Sequence, residues 1–395
     1  MNEITLHTPA SARMNAAQLD ALRQAVQRDI DTGRMYGAAM IVARGGKPVL
    51  RETFGTVDGS CPTRLDDLYL MMSAAKSFTA MLTLSAIEKG LFQLDTKIAD
   101  LFPAFAAHGK AGITVFHLLT HQAGMFGLPV LPGLPPAELG NLDAVFARLA
   151  EMPADFPAGT QSSYSAFAGY AVLGKLLQHT DPQGRTFARI ARDELFAPLG
   201  MQHAQFGGTM DNPRRVPVSH TAVEKAKGAA QAGNLDMVEN LLNSQAAEGC
   251  QIPAGNAFCT IDDLYRFAEN LRLNKRGQGV RILSPALTDY ATQNHCGDMD
   301  NLIFREECEK LHLPPLKACY GLHGGYVRGT GHLLNVAGYT ASPNAFSGMG
   351  GGSTFYMVDP ERELTVAFVS AGFIEGLPHL IRAAKLNDLA LAACD

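Results

Sequence analysis

The chain has no uninterrupted apolar run long enough to span a membrane. Its N-terminal stretch, MNEITLHTPASARMN, has no apolar core, which argues against a secretory leader or an anchor. The seven cysteines (Cys61, Cys250, Cys259, Cys296, Cys308, Cys319, Cys394) are odd in number and scattered, and none forms C-x-x-C. The expectation is therefore reduced thiols in a cytoplasmic protein, without a disulfide frame or a zinc site. There is no H-E-x-x-H, and His121, His323 and His332 are not spaced as ligands, so no metal is expected. His121 reads as structural, closing a helix. No G-x-S-x-G elbow, P-loop, or G-x-G-x-x-G opening a helix is present, which disfavours an α/β-hydrolase and a nucleotide cofactor. A net charge of -5 with no basic stripe gives no pull towards nucleic acid. The carboxylates form no convincing glycosidase pair, and Asp262 and Asp263 read as first-turn helix charges.

What remains is an ordinary globular composition, 47% hydrophobic and 18% charged, in 395 residues, enough for two lobes. An amphipathic helix capped by Asn15 runs to about Asp31, followed by strands over Gly37 to Ala43 and Pro48 to Phe54. The middle is helical. Thr114 caps Val115 to His121, and further helices are expected over Asn141 to Glu151, Tyr164 to His179, Gln183 to Phe196, part of Val223 to Ala247, Thr260 to Leu271 and Leu283 to Thr292. The apolar loop Leu128 to Gly140 either lines a cleft or covers core. Strands are expected over Gly321 to Gly329, His332 to Gly338, Ser353 to Val358 and Leu364 to Ser370, then a terminal helix over Leu377 to Ala392. This order predicts an α+β fold: an antiparallel sheet flanked by helices, built from residues 1–90 and 317–395, with an inserted mainly helical lobe at 91–316 and a cleft between them.

Three stretches carry candidate chemistry. Ser73-Ala74-Ala75-Lys76 opens a long apolar helix running to Gly90, so the lysine shares a face with the serine one turn away. A serine needs a neighbouring base, and a lysine of depressed pKa can be one; the helix N-terminus favours developing negative charge. Taken alone, the same residues also fit an N-cap and a solvated first-turn lysine. Tyr164 lies where a loop enters a helix, aimed into a cleft as a proton-transfer group or buried with its hydroxyl on backbone. The run Gly348-Met349-Gly350-Gly351-Gly352-Ser353 fits an edge strand offering an oxyanion N–H, and equally a glycine-rich turn.

Together these stretches resemble the serine β-lactamase-like family, specifically class C β-lactamase-related esterases and transferases, beside penicillin-binding proteins and DD-peptidases. Further matches are Gly90-Leu91-Phe92-Gln93-Leu94-Asp95 to G-L-x-x-L-D, and Ile113-Thr114 through Leu118-Leu119-Thr120-His121-Gln122-Ala123-Gly124 to I-T-x-x-x-L-L-T-H-x-S-G. Tyr164-Ser165 with Gly169-Tyr170-Ala171-Val172-Leu173-Gly174 resembles Y-S-N…G-Y-x-x-L-G, and Pro253-Ala254-Gly255 through Asp263-Leu264 resembles P-A-G-G-x-x-S-T-x-x-D-L. The resemblance runs from about residue 15 to 372. It implies Ser73 as acylated nucleophile, Lys76 as its activator, and Tyr164 as partner base and later proton donor to the leaving group. It also implies an oxyanion hole from the Ser73 N–H and a backbone N–H near Gly351, with Gly350 and Gly348 of the same strand as further oxyanion or substrate-binding positions.

Three departures follow. Ala166 replaces the asparagine usual two residues after the tyrosine, and Gly348-Met349-Gly350 stands where K-T-G is usual, which removes the cationic contact to a substrate carboxylate. Nor is the N-terminal stretch expected to be the leader of periplasmic relatives. The resemblance therefore implies a serine acyl-enzyme hydrolase of esterase type acting on a small-molecule ester, thioester or amide, ahead of a β-lactamase or DD-peptidase. An acyltransferase using an alcohol or amine acceptor, or a carrier protein, is the close alternative. The enlarged Phe206 to Asn256 region either holds such a partner or is family variation. A non-catalytic binding protein is a third reading.

Overall fold

A computed structural model of the chain describes residues 4–125, 127, 131–230, 234–331, 334–374 and 376–395. Strand β1 (Gly37–Arg44) is apolar from Gly37 to Ala43 and buried along its whole length, as a strand covered on both faces must be. It pairs antiparallel with β2 (Lys47–Gly55) through a tight turn, and with the late strand β9 (Leu364–Ile374) on its other side. Between these lie β3 (Tyr69–Leu70), β4 (Gln205–Phe206), β5 (Ala257–Cys259), β6 (Tyr326–Val327), β7 (Phe346–Gly350) and β8 (Gly352–Asp359). Six strands form one antiparallel sheet in the order β2-β1-β9-β8-β7-β6, so the two chain ends share a sheet, as expected. The three-stranded sheet β3-β5-β4 was not expected; its strands are only two or three residues long.

Alternation along β1 sorts the core. Ala38, Met40 and Val42 join Leu19, Leu22 and Val26 of the N-terminal helix (Ala16–Asp31) and Leu380 and Leu391 of the C-terminal helix (Leu377–Ala392). Ala39, Ile41 and Ala43 face a second core containing Phe78, Phe267 and Tyr356. The Ile261–Asn274 helix covers this second face, capped by Thr260 and Asp263 reciprocally. Asp262 is bound there by Arg51 at 2.7 Å. The Lys76–Glu88 helix is buried on nearly every side, with Phe78 edge-on to Phe196 (5.3 Å) and Phe267 (4.7 Å).

Several boundaries differ from expectation. The helix expected from Tyr164 begins at Ala168, because the preceding residues spend their polar groups on His121 and Asn301. Gln183 to Phe196 becomes a short α-helix (Phe187–Ala191) followed by a π-turn (Arg192–Phe196). Within Gly321 to Gly329 only Tyr326–Val327 is strand, and residues 334–338 form none; His332 lies outside the described residues. Asn335 instead donates to the Val327 carbonyl and closes a loop. Leu128 also lies outside the described residues, while Leu131 and Leu139 of the same loop are buried in the core.

Candidate active site

The chain leaves β3 at Leu70 and reverses into a 3₁₀ turn, Met72–Ala75, that runs directly into the Lys76–Glu88 helix. Met72 holds a left-handed φ of 48°, a conformation that costs a methionine roughly 1–3 kcal/mol. Met71 anchors the turn: its N–H donates to the Ala257 carbonyl (2.8 Å), and its carbonyl accepts from the Thr354 hydroxyl (2.8 Å). The strained residue therefore sits immediately before Ser73.

Lys76 Nζ lies 3.0 Å from Ser73 Oγ, 2.7 Å from the Ala166 carbonyl oxygen and 3.1 Å from the Ala254 carbonyl oxygen. As an ammonium it donates to all three. As a neutral amine it has two N–H donors, which the two carbonyls match, and one lone pair left for the Ser73 hydroxyl proton. Burial pushes the Lys76 pKa down to about 7, so both forms are populated near neutrality. The Ala166 carbonyl thus contacts Lys76 at the position where the expected asparagine amide is missing. The Ala254 carbonyl is held close because Thr79 bonds the neighbouring Pro253 carbonyl at 2.7 Å.

Tyr164 brings its ring within 5.0 Å of Lys76 Nζ. Desolvation pushes its phenol pKa well above 10, against a smaller opposite effect of a hydrogen bond with Ser73. The ring rests on His121 (4.5 Å between centroids), whose Nδ1 accepts from the Ser165 N–H at 3.1 Å. Burial holds that imidazole neutral, its pKa well below the ordinary histidine value. Asn301 completes the support, accepting from the Tyr164 N–H (3.2 Å) and donating to the Tyr320 hydroxyl (2.6 Å).

Ser73, Tyr164 and Gly351 line one cavity of about 420 Å³. Gly348 and Gly350 do not line it; both serve close packing. A Cβ on Gly350 would lie 2.0 Å from the Met71 carbonyl oxygen, and one on Gly348 would lie 2.4 Å from the Tyr356 ring. The two-residue strand β6 pairs only with Phe346 and Ser347, so the Gly348–Gly350 end of β7 runs on beyond it against the Ser73 turn.

Most of the remaining cavity wall comes from the Phe206 to Asn256 region, though the sequence did not say which residues would line it. Val238, Leu241 and Leu242, from the helix Leu235–Ser244, with Ile252 and Phe373, make it mostly apolar. The sequence marks Val223 to Ala247 only as Ala-rich, charged and helical in part, and nothing local ties that helix to Ser73. Among the described residues, no group of three or more His, Cys, Asp or Glu side chains is placed to hold a metal ion. No described helix is long and apolar enough to cross a membrane.

Comparison with known proteins agrees with this fold. A family model described as Beta-lactamase matches residues 22–390. The Esterase/beta-lactamase LipL of Mycobacterium tuberculosis is 26% identical over 383 residues, covering 89% of this chain and 83% of that protein. Penicillin-binding protein 4 of Amycolatopsis lactamdurans is 29% identical over 247 residues, and the match spans 60% of each chain. A solved structure titled "EstCE1, a hydrolase with promiscuous acyltransferase activity" shares the fold, with a TM-score of 0.73 at 19% identity over 95% of this chain and 98% of that one.

Proposed function

The chain belongs to the beta-lactamase family and is an enzyme of its serine hydrolase type, and from that premise we propose an esterase acting through Ser73, Lys76 and Tyr164 on neutral, apolar acyl esters or thioesters. The observation that carries this reading is the 3.0 Å contact between Lys76 Nζ and Ser73 Oγ at an apolar cavity of about 420 Å³.

In this reading neutral Lys76 takes the Ser73 proton as Oγ attacks the acyl carbonyl carbon. The carbonyl π-pair moves onto oxygen, and the Ser73 and Gly351 N–H groups face that oxyanion. Collapse breaks the bond to the leaving oxygen or sulfur, which takes the Tyr164 phenolic proton; the Lys76 ammonium returns a proton to Tyr164. A water then repeats the sequence on the acyl-enzyme and frees Ser73. The raised phenol pKa supports giving the base role to Lys76 and the acid role to Tyr164. The site sits in the cleft between the sheet-forming ends (1–90, 317–395) and the helical middle (91–316). A cytoplasmic location fits the seven free cysteines.

Acyl transfer to an alcohol or amine is the second reading, favoured by the extra apolar wall from Leu235–Ser244 and by the promiscuous transferase activity named for EstCE1. The acceptor or carrier would replace water in the second half-reaction. Turnover of p-nitrophenyl butyrate by wild type and Ser73→Ala, with and without added alcohols, tests both. Loss in Ser73→Ala supports the serine centre, and alcohol-dependent ester product selects transfer. Equal turnover by the two proteins would sink the reading.

A further inference from the structure

Behind the Gly350–Thr354 turn lies a buried charged group that the chemistry above does not use. Arg382, in the C-terminal helix, is 2% exposed, and its guanidinium packs over the Phe368 ring at 5.2 Å. Its polar contacts are with neutral acceptors. Nη2 meets the Gly352 carbonyl oxygen (3.2 Å), Ser370 Oγ (3.2 Å) and His379 Nδ1 (2.8 Å), and Nη1 meets Met35 Sδ (3.4 Å). Asp29 and Glu224 act on the guanidinium through charge alone, so burying it with hydrogen bonds only to neutral acceptors is costly, and an apolar side chain would fill the space at less cost.

The bonds have a definite direction. A guanidinium cannot accept, so His379 Nδ1 is the acceptor and carries no proton. The imidazole proton therefore sits on Nε2, which donates to the Thr354 carbonyl at 3.2 Å. Burial and the Arg382 charge keep the ring neutral, holding its pKa well below the ordinary value. Thr354 in turn donates its hydroxyl to the Met71 carbonyl at 2.8 Å, two residues before Ser73. Thr354 also stands opposite Gly350 across the β7–β8 hairpin. Arg382 thus holds the β8 arm of the turn at Gly352, and the His379–Thr354–Met71 chain ties the same arm to the Ser73 turn.

We propose that His379 and Arg382 are positioning residues that fix the Gly351 N–H relative to the Ser73 N–H, so that both donors face one oxyanion. This rests on the oxyanion role given to Gly351 above. The two N–H groups belong to different segments, and their separation is set by the Thr354–Met71 link.

The test compares His379→Met, which fills the space without a donor, with His379→Gln, whose amide can still donate to Thr354. Each is assayed for ester kcat and KM and for affinity to a short alkyl boronic acid, a tetrahedral mimic. In His379→Met, kcat and boronate affinity should each fall on the order of 10- to 100-fold, less than the loss of a whole oxyanion donor, with KM little changed. His379→Gln should recover most of both. Folded His379→Met with wild-type kcat and boronate affinity would overturn the proposal. Should His379→Met not fold, Thr354→Ala against Thr354→Ser tests the Thr354–Met71 link that the proposal requires, with the same readouts, and a folded Thr354→Ala with wild-type kcat and boronate affinity would overturn it. A fully active Ser73→Ala would instead remove the serine reading, whatever the His379 variants do.

Discussion

Lys76 Nζ sits 3.0 Å from Ser73 Oγ while its other two contacts are the Ala166 and Ala254 carbonyls. Both carbonyls can only accept, so in the neutral amine the remaining lone pair is directed to the serine.

The first prediction is a pH profile. Only the neutral amine is a base, so kcat/KM should rise with pH through about 7, the value to which burial lowers Lys76. Linkage has the same origin. Between about 7 and the ordinary lysine value the unfolded chain binds a proton that the folded chain does not, so stability from this group rises with pH over that window. It is flat below it. Denaturant titrations of wild type minus Lys76→Met should show that slope, at most ~1.4 kcal/mol per pH unit. A flat difference and a pH-independent rate would remove Lys76 as the base.

Tyr164→Phe separates acid from base. If the phenol protonates the leaving group, the loss should be orders of magnitude with alkyl esters and much smaller with p-nitrophenyl esters, whose leaving group needs no proton. An equal loss on both would assign Tyr164 to the attack step. Comparison of the two kcat/KM ratios decides.

The apolar wall predicts chain-length selectivity. Each buried CH₂ is worth ~0.8 kcal/mol, so lengthening acetyl to butyryl should raise kcat/KM about tenfold until the cavity is filled. Leu241→Asp should erase that gain, since Leu241 lines the cavity. A carboxylate-bearing acyl group should be poor in both proteins.

Gly350→Ala is predicted to be severely destabilising. Its Cβ would stand 2.0 Å from the Met71 carbonyl oxygen and 2.2 Å from Thr354 Oγ1, with backbone on one side. A loss of about 2–4 kcal/mol by chemical denaturation is expected. Gly90→Ala is a useful contrast: nothing lies within 4 Å of its Cβ, so only the cost of its positive φ (76°) remains.

The parts legible in the sequence were those set by local spacing. Ser73 and Lys76 meet because they are three apart on one helical face, and the caps at Asn15, Thr114 and Thr260 form as their neighbours dictate. The β1 and β9 runs announced buried strands shared by the two chain ends. What could not be read depends on backbone atoms, which carry no residue signature. The Ala166 and Ala254 carbonyls that bind Lys76 belong to this class, as does the Met71 carbonyl that makes Gly350 obligatory. The Leu235–Ser244 helix falls in a stretch expected to be helical in part, but its place on the cavity is a tertiary fact. His379 and Arg382 had a usable signal: two polar residues three apart on the face shared with Leu380 and Ala383.

The most direct test of the central claim is intact mass after brief exposure to butyryl esters and thioesters, wild type beside Ser73→Ala. The account predicts a butyryl adduct of wild type that maps to Ser73 and is absent from Ser73→Ala. Turnover of the same donors by Ser73→Ala at the wild-type rate, or an adduct mapping to another residue, would contradict it.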